Sequence, residues 1–88
     1  MFRTAVTWND VHTDEQAALF AAKAAEIYNK YPDFVVPEIS TELQYSVVSP
    51  YLRTVYRTWP AEAAAQEWVD FLNSSNFVHL QNAVIDYT

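Results

Sequence analysis

The sequence predicts an α+β fold in which two helices pack on one face of a four-stranded antiparallel sheet. Stretches that alternate apolar and polar residues indicate strands, and two stretches with apolar residues at steps of three and four indicate helices. Prolines and polar capping residues separate these stretches. The 88 residues are 51% apolar, so we expect one domain over residues 1–88 that buries its own core.

The N-terminal third predicts a strand followed by a helix. Residues 2–8 alternate and are rich in β-forming side chains, which is typical of a strand. Thr13 and Gln16 have the spacing of a capping box, in which each side chain accepts a hydrogen bond from the other's backbone N–H. We expect Pro32 to end the helix, because the residue before a proline avoids the α region. The apolar stripe of this helix is Ala17, Phe20, Ala24, Ile27 and Tyr31.

The middle of the chain predicts a β-hairpin over residues 38–59. Alternation is regular from Glu38, Ser49-Pro50 marks a turn, and Tyr51 begins a second β-rich run. The register matters because a shift by one residue would turn the side chains of a strand to the opposite face. A symmetrical loop around Ser49-Pro50 pairs Glu42 with Arg57, Leu43 with Tyr56, and Tyr45 with Thr54.

The last third predicts a helix and a final strand. Pro60 suits the first position of a helix, which we expect over residues 61–73. Residues 74–76 are polar and break the helix, and residues 77–87 form the last strand. The resulting order, βαββαβ, is that of the ferredoxin-like fold, which leaves one sheet face uncovered. The stripe of the second helix is Ala61, Ala65, Trp68 and Leu72.

The composition excludes several classes of function. The chain has no cysteine and no glycine, which rules out a disulfide framework, a thiolate zinc site and a glycine-rich phosphate loop. The net charge is −6 and the five basic residues are scattered, so we expect no nucleic-acid partner. No apolar run is long enough for a membrane span, and the N-terminus lacks the features of a signal peptide. We therefore expect a soluble cytoplasmic protein.

One part of the sequence resembles antibiotic-biosynthesis-monooxygenase-like domains. Residues 56–63 (YRTWPAEA), followed by Trp68 and by residues 71–74 (FLNS), look like the third strand and second helix of that family. The resemblance implies a dimeric α/β barrel with a pocket between sheet and helices. It also implies a flat aromatic substrate that oxygen oxidises without a metal. The residues themselves contain no recognisable catalytic motif, so the sequence leaves open whether the protein is an enzyme.

The haem-degrading branch of that family uses three particular residues. They are an asparagine near the end of the first strand, a tryptophan, and a histidine in the second helix. Asn9 and Trp59 match the first two, but the second helix has no histidine. We therefore expect no haem and no other cofactor.

The predicted register places polar and aromatic side chains on the uncovered sheet face. Tyrosine, tryptophan and arginine are enriched at protein interfaces, so this face is a candidate homodimer interface. The alternative is a solvated face with cross-strand pairs such as Glu42 with Arg57. The predicted interface residues are Glu42, Gln44, Tyr51, Arg53, Val55, Arg57 and Trp59.

The fourteen aromatic residues, 16% of the chain, predict either a densely packed core or a lined pocket. In the resembling barrels the pocket lies between sheet and helices, where several hydroxyl groups of the hairpin should point. The pocket would bind a small apolar or aromatic molecule. Its predicted lining residues are Tyr45, Thr54, Tyr56, Thr58 and Trp68.

Few side chains are candidates for catalysis. Histidine titrates near neutrality, and His79 in the predicted last strand is a candidate, as are Asn9 and Trp59 by resemblance. His12 lies next to the first helix cap, where we expect it to be exposed. No residues have metal-ligand spacing, so we expect no metal site.

Two functional hypotheses follow from the sequence. The first is a dimeric protein that binds a small apolar or aromatic molecule. The second is a non-enzymatic interaction or regulatory module, for example a small viral accessory protein. An interior cavity with converging polar groups would favour the first, and a solidly packed interior would favour the second.

Overall fold

The computed structural model describes residues 2–36, 39–44 and 52–86, with only the backbone of residues 40–44. The order of elements is βαββαβ, so the predicted ferredoxin-like topology is confirmed. Within the described residues, no helix combines the length and the hydropathy that a membrane crossing requires. The elements are β1 (Phe2–Trp8), α1 (Asp14–Tyr28), β2 (Ser40–Gln44), β3 (Leu52–Trp59), α2 (Glu62–Ser74) and β4 (Leu80–Asp86).

The strands form one antiparallel sheet in the order β2-β3-β1-β4, with both helices on the same face. Phe20 of α1 lies against Trp8 of β1, with 5.1 Å between ring centroids. Trp68 of α2 lies against Trp59 of β3, with 5.5 Å between centroids. Trp8 pairs with Arg53 across the sheet. Because directly paired residues share a face, the even-numbered residues of β1 and the odd-numbered residues of β3 face the helices.

The predicted register of the hairpin is wrong. Glu42 pairs with Thr54 instead of Arg57, and Leu43 pairs with Arg53 instead of Tyr56. The pairing is therefore shifted along β3 by an odd number of residues, which exchanges the faces of the two strands relative to each other. Tyr45, whose predicted partner was Thr54, lies outside the described residues.

The predicted faces of β3 are also reversed. Trp59 is fully buried beneath the helices, and Val55 packs against the same core. Burying a large aromatic side chain stabilises the fold more than leaving a neighbouring polar side chain in water does. Arginine can also bury its aliphatic stem while its guanidinium keeps polar contacts. The strand therefore carries Arg53 and Arg57 to the covered side. Its open side holds Thr54, Tyr56 and Thr58.

The predicted capping box at the start of α1 is confirmed. The Gln16 N–H donates to Thr13 Oγ1 over 3.2 Å, and the Thr13 N–H donates to Gln16 Oε1 over 3.1 Å. The helix ends at Tyr28, before the predicted stop at Pro32. Asn29 caps it with helical dihedrals, and its N–H donates to Ala25 O over 2.9 Å.

The second helix packs against α1 and the sheet. It begins at Glu62 with Ala61 as its cap, so Pro60 precedes the cap and does not occupy the predicted first position. Glu67 links the helices, with Oε2 3.2 Å from Lys23 Nζ and Oε1 2.8 Å from Lys30 Nζ. The buried face of α2 is Ala64, Ala65, Trp68, Val69 and Leu72.

The connection to β4 and the start of that strand are irregular. Asn76 has φ 54°, and among the described residues it is the one position with positive φ. Asparagine tolerates this left-handed conformation better than most residues, which suits the end of a helix in a chain without glycine. β4 begins at Leu80 instead of residue 77. Leu80 pairs with Trp8 and Asn82 with Thr7, so a bulge interrupts the alternation, which explains its weak sequence pattern.

Candidate functional site

A cleft of about 210 Å³ lies between the helices and the sheet. The sheet contributes aliphatic, aromatic and cationic side chains, and α1 contributes small residues that leave room between the layers. Ala17, Phe20 and Ala21 lie at helical spacing, so they form one wall. The other lining residues are Val6, Trp8, His12, Arg53, Val55, Arg57 and Trp68.

The floor of the cleft follows from the register of the two central strands. Val6 pairs with Val55, and Trp8 pairs with Arg53. These residues share the covered face, so they form a continuous surface beneath α1. Val6 and Trp8 are buried, so their side chains are held in place at the base of the cleft.

Aromatic rings close one end of the cleft. The centroid of the His12 ring lies 4.4 Å from that of Trp8 and 4.9 Å from that of Phe20, in both cases edge to face. Phe77 continues the cluster, with its ring centroid 5.0 Å from that of Phe20. Such edge-to-face contacts add to the burial energy of each ring and restrict its orientation. This end of the cleft is therefore lined largely by packed aromatic rings.

His12 is the titratable group at this end. Burial lowers the pKa of His12 below its usual 6.5, and electrostatic interaction with Arg53 and His79 lowers it further. The imidazole is therefore neutral at neutral pH. In this form one ring nitrogen can donate a hydrogen bond and the other can accept one.

The lowered pKa of His12 predicts a pH-dependent loss of stability. The unfolded state takes up a proton near the ordinary value of 6.5, and the folded state takes it up only at lower pH. The free energy of unfolding should therefore fall as the pH drops below 6.5, and the fall due to His12 should end below its folded pKa. For a partly exposed group we expect less than about 1 kcal/mol.

Urea unfolding above and below pH 6.5 measures this effect in the wild type and in His12→Phe, which keeps a ring against Trp8 and Phe20. The wild type should lose more stability than the variant over this interval. Equal losses in the two proteins would show that His12 does not contribute.

Arg57 and Trp68 form the polar part of the opposite end. The Arg57 guanidinium carbon lies 5.1 Å from the centroid of the Trp68 ring, within the range of a cation–π contact. Burial lowers the pKa of Arg57, and the neighbouring Tyr28 hydroxyl partly offsets this. Burial also raises the pKa of Tyr28, so its hydroxyl is neutral at neutral pH. An arginine guanidinium is charged at this pH.

Four of the residues singled out in the sequence come together in this cleft. Trp68 was predicted to line the pocket, and it does line the cleft. Arg53, Val55 and Arg57 were predicted at a dimer interface, but they line the same cleft on the covered side of the sheet.

The other described pocket candidates lie on the opposite side of the sheet. Thr54, Tyr56 and Thr58 alternate with the cleft residues along β3, so they belong to the open face. Thr54 Oγ1 lies 3.1 Å from Thr7 Oγ1. The Thr58 carbonyl accepts a hydrogen bond of 2.7 Å from the Tyr28 hydroxyl. The open face therefore holds Thr54, Tyr56 and Thr58, three of the hydroxyl-bearing residues expected in the pocket.

The three catalytic candidates do not line the cleft. Trp59 is fully buried, stacks on Tyr28 with 4.4 Å between centroids, and donates from Nε1 to Thr4 Oγ1 over 2.9 Å. His79 lies in the turn before β4, with Nε2 3.8 Å from Asp10 Oδ2. The Asn9 N–H donates to the His79 carbonyl over 2.9 Å. These contacts join structural elements.

The remaining predicted residues belong to β2 and the connection that follows it. Glu42 pairs with Thr54, and Gln44 pairs with Leu52. Tyr45 and Tyr51 lie outside the described residues. In the part of the chain that the structure describes, no group of His, Asp or Glu side chains is arranged to hold a metal ion.

Several cleft residues were missing from the sequence-based site. His12 was expected to be exposed, but it is half-buried between aromatic rings. Trp8 and Val6 were placed only in a strand. Trp59 at the end of β3 could have identified the face that the helices cover. Arg53, Val55 and Arg57 lie at even steps from Trp59 along the strand, so their side chains share its face.

Comparisons with known proteins give similarity at the level of structure. No protein-family model matches the sequence, and no curated protein matches it. The Arabidopsis thaliana protein At3g17210, known from a crystal structure, is 11% identical with a TM-score of 0.45, over 98% of this chain and 91% of that one. A crystal structure of an antibiotic biosynthesis monooxygenase is 14% identical with a TM-score of 0.37, over 98% of this chain and 94% of that one. The chain thus weakly resembles that monooxygenase structure.

Proposed function

We propose that this protein binds a small apolar or aromatic molecule in the cleft between α1 and the sheet. The cleft itself is the observation that carries the proposal. Small-molecule sites are concave and mostly apolar, with a few polar groups that orient the ligand. Here aromatic rings and valines supply the apolar surface, and Arg57 and His12 supply polar groups.

The size of the cleft limits the ligand to one or two rings. A cavity of roughly 150 Å³ in another protein holds benzene. The cleft of about 210 Å³ therefore suits a molecule somewhat larger than a single ring. Trp8 and Phe20, whose ring planes are tilted by 34°, offer a surface for such a ring.

A substitution that fills the cleft is expected to weaken binding strongly. Ala21 lines the cleft from α1, and phenylalanine there would occupy the space of a ligand ring. The probes are naphthoate and its uncharged amide, naphthamide, titrated by calorimetry and by quenching of the tryptophan fluorescence. We expect Ala21→Phe to weaken the binding of whichever probe the wild type binds by about tenfold or more.

Ala25→Phe is the matched control. Ala25 lies on the same helix, is exposed, and is not among the cleft residues. This variant should bind as the wild type does. If neither probe binds the wild type, or if both variants bind equally well, the cleft is not the binding site and the proposal fails.

We also propose that a second copy of the chain covers the open sheet face. A row of cross-strand neighbours, Tyr56, Ala5 and Val84, runs across this face, and 42% of the Val84 surface is exposed. Beside the row, the Arg3 guanidinium lies 4.5 Å from the Tyr56 ring centroid and pairs with Asp86. Tyrosine and arginine are enriched at interfaces, and most homo-oligomers use a twofold axis.

The mass in solution tests this dimer. The wild type should have twice the mass of one chain, and Val84→Glu should have the mass of one, because the new carboxylate meets its symmetry mate and Asp86. Val78→Glu is the control, since Val78 is 77% exposed in the turn before β4 and lies outside the sheet. A monomeric wild type contradicts the proposed dimer.

A further inference from the structure

The charge of the cleft is opposite to the charge of the chain. The chain has eleven acidic and five basic residues, a net charge of −6. Among the residues whose side chains the structure describes, the cleft lining has two arginines and a histidine, and no aspartate or glutamate. Two of the chain's five basic residues therefore lie in one small concavity. Low-dielectric walls strengthen the field of such charges.

Arg57 lacks an anionic partner within the described part of the chain. It is half-buried on the covered face of β3, and its described neighbours are the Trp68 ring and the Tyr28 hydroxyl. Among the side chains that the structure describes, no carboxylate lies within ion-pair distance of it. A partly desolvated charge without a counter-ion is unfavourable. An anion brought by a ligand would supply the missing partner.

Trp68 offers a second donor at the same end of the cleft. Its side chain is 4% exposed, and its Nε1 atom is buried without a hydrogen-bond partner among the described residues. Buried indole N–H groups normally have an acceptor. The Arg57 guanidinium carbon lies 5.1 Å from the centroid of the Trp68 ring, so both groups lie at the same end of the cleft.

We propose that the ligand of this cleft is an aromatic carboxylate, whose anionic group binds to Arg57 and whose ring lies between α1 and the sheet. This inference rests on the proposed function, since it assigns the ligand class of the same cleft. Arginine presents a planar set of donors that matches a carboxylate. Arg53 adds positive charge toward the other end of the cleft, where Trp8 and His12 lie.

The test compares naphthoate with naphthamide, which has nearly the same shape and no charge. Dissociation constants are measured by calorimetry for the wild type, Arg57→Met, Arg57→Lys and Lys30→Met. Methionine keeps the apolar length of the arginine stem and removes its charge, and lysine keeps the charge without the planar donors. Lys30→Met is the matched control, because it also removes one positive charge and Lys30 pairs with Glu67 outside the cleft lining.

We expect the wild type to bind naphthoate about tenfold or more tightly than naphthamide. Arg57→Met should bind the two probes about equally, with its affinity for naphthamide unchanged. Arg57→Lys should keep part of the preference, and Lys30→Met should keep all of it. Circular dichroism shows which variants fold. If Arg57→Met does not fold, the partial loss of preference for naphthoate in Arg57→Lys is the test.

Three other outcomes would overturn the inference in different ways. If the wild type binds both probes equally and Ala21→Phe blocks both, the proposed function holds and the ligand class is wrong. If the preference for naphthoate persists in Arg57→Met, another group binds the anion. If neither probe binds, the proposed function fails, and the assigned ligand class fails with it.

Discussion

Replacing Trp59 with alanine is expected to lower the free energy of unfolding by about 4 kcal/mol. The side chain is 0% exposed and lies where β3 meets both helices. It stacks on Tyr28 of α1 and lies against Trp68 of α2. Alanine would remove these contacts and leave a cavity. It would also remove the indole N–H that donates a hydrogen bond to Thr4 Oγ1.

Urea denaturation followed by circular dichroism measures this loss. Trp59→Phe is the informative control, because it keeps a ring against Tyr28 and removes the hydrogen bond to Thr4. We expect this variant to lose about 2 kcal/mol. A loss below about 1 kcal/mol in Trp59→Ala would mean that Trp59 is not packed between the helices and the sheet.

Replacing Phe20 with alanine is expected to lower the free energy of unfolding by about 3 kcal/mol. Phe20 is buried, and its ring contacts those of Trp8, His12 and Phe77. The expected loss is smaller than at Trp59 because Phe20 borders the cleft, where neighbouring side chains can relax into the space. The same change enlarges the cleft.

Leu19→Ala is the matched control for Phe20→Ala. Leu19 precedes Phe20 in α1 and is 52% exposed, so its truncation should cost less than about 0.5 kcal/mol. Phe20→Leu keeps most of the volume and should cost less than about 1.5 kcal/mol. Equal losses in Leu19→Ala and Phe20→Ala would contradict the orientation of α1.

The elements could be predicted from local sequence because local interactions determine them. The capping box of Thr13 and Gln16 needs only neighbouring residues, and it forms as predicted. The apolar stripe of α2 gives the buried positions Ala65, Trp68 and Leu72. Once six elements in this order are recognised, few topologies remain. This is why the fold was predicted more successfully than the site.

The register of β2 and β3 could not be predicted in this way. Both strands alternate, so either of two opposite faces could meet the helices, and a symmetrical turn at Ser49-Pro50 was the simplest assumption. The charges of Arg53 and Arg57 made their face look solvent-exposed. Burial of Trp59 and Val55 on the same parity outweighs that preference.

The candidate site depends on this register, so most of it was mislocated. Trp68 was identified because its position follows from helical periodicity alone. Arg53 and Arg57 were singled out for an interface because their face was reversed. His12 was passed over because its burial depends on Trp8 and Phe20, which are distant from each other in sequence and meet only in the fold.

In this chain without glycine, Asn76 adopts the left-handed conformation in the turn after α2. Every residue carries a Cβ atom, so the unfolded chain samples fewer backbone conformations than one that contains glycine. Folding then removes less conformational entropy, which helps a small domain whose core is limited. The left-handed conformation that some turns require is then less favourable, because a residue with a Cβ atom must adopt it. Here an asparagine after α2 takes this conformation, which glycine would usually adopt.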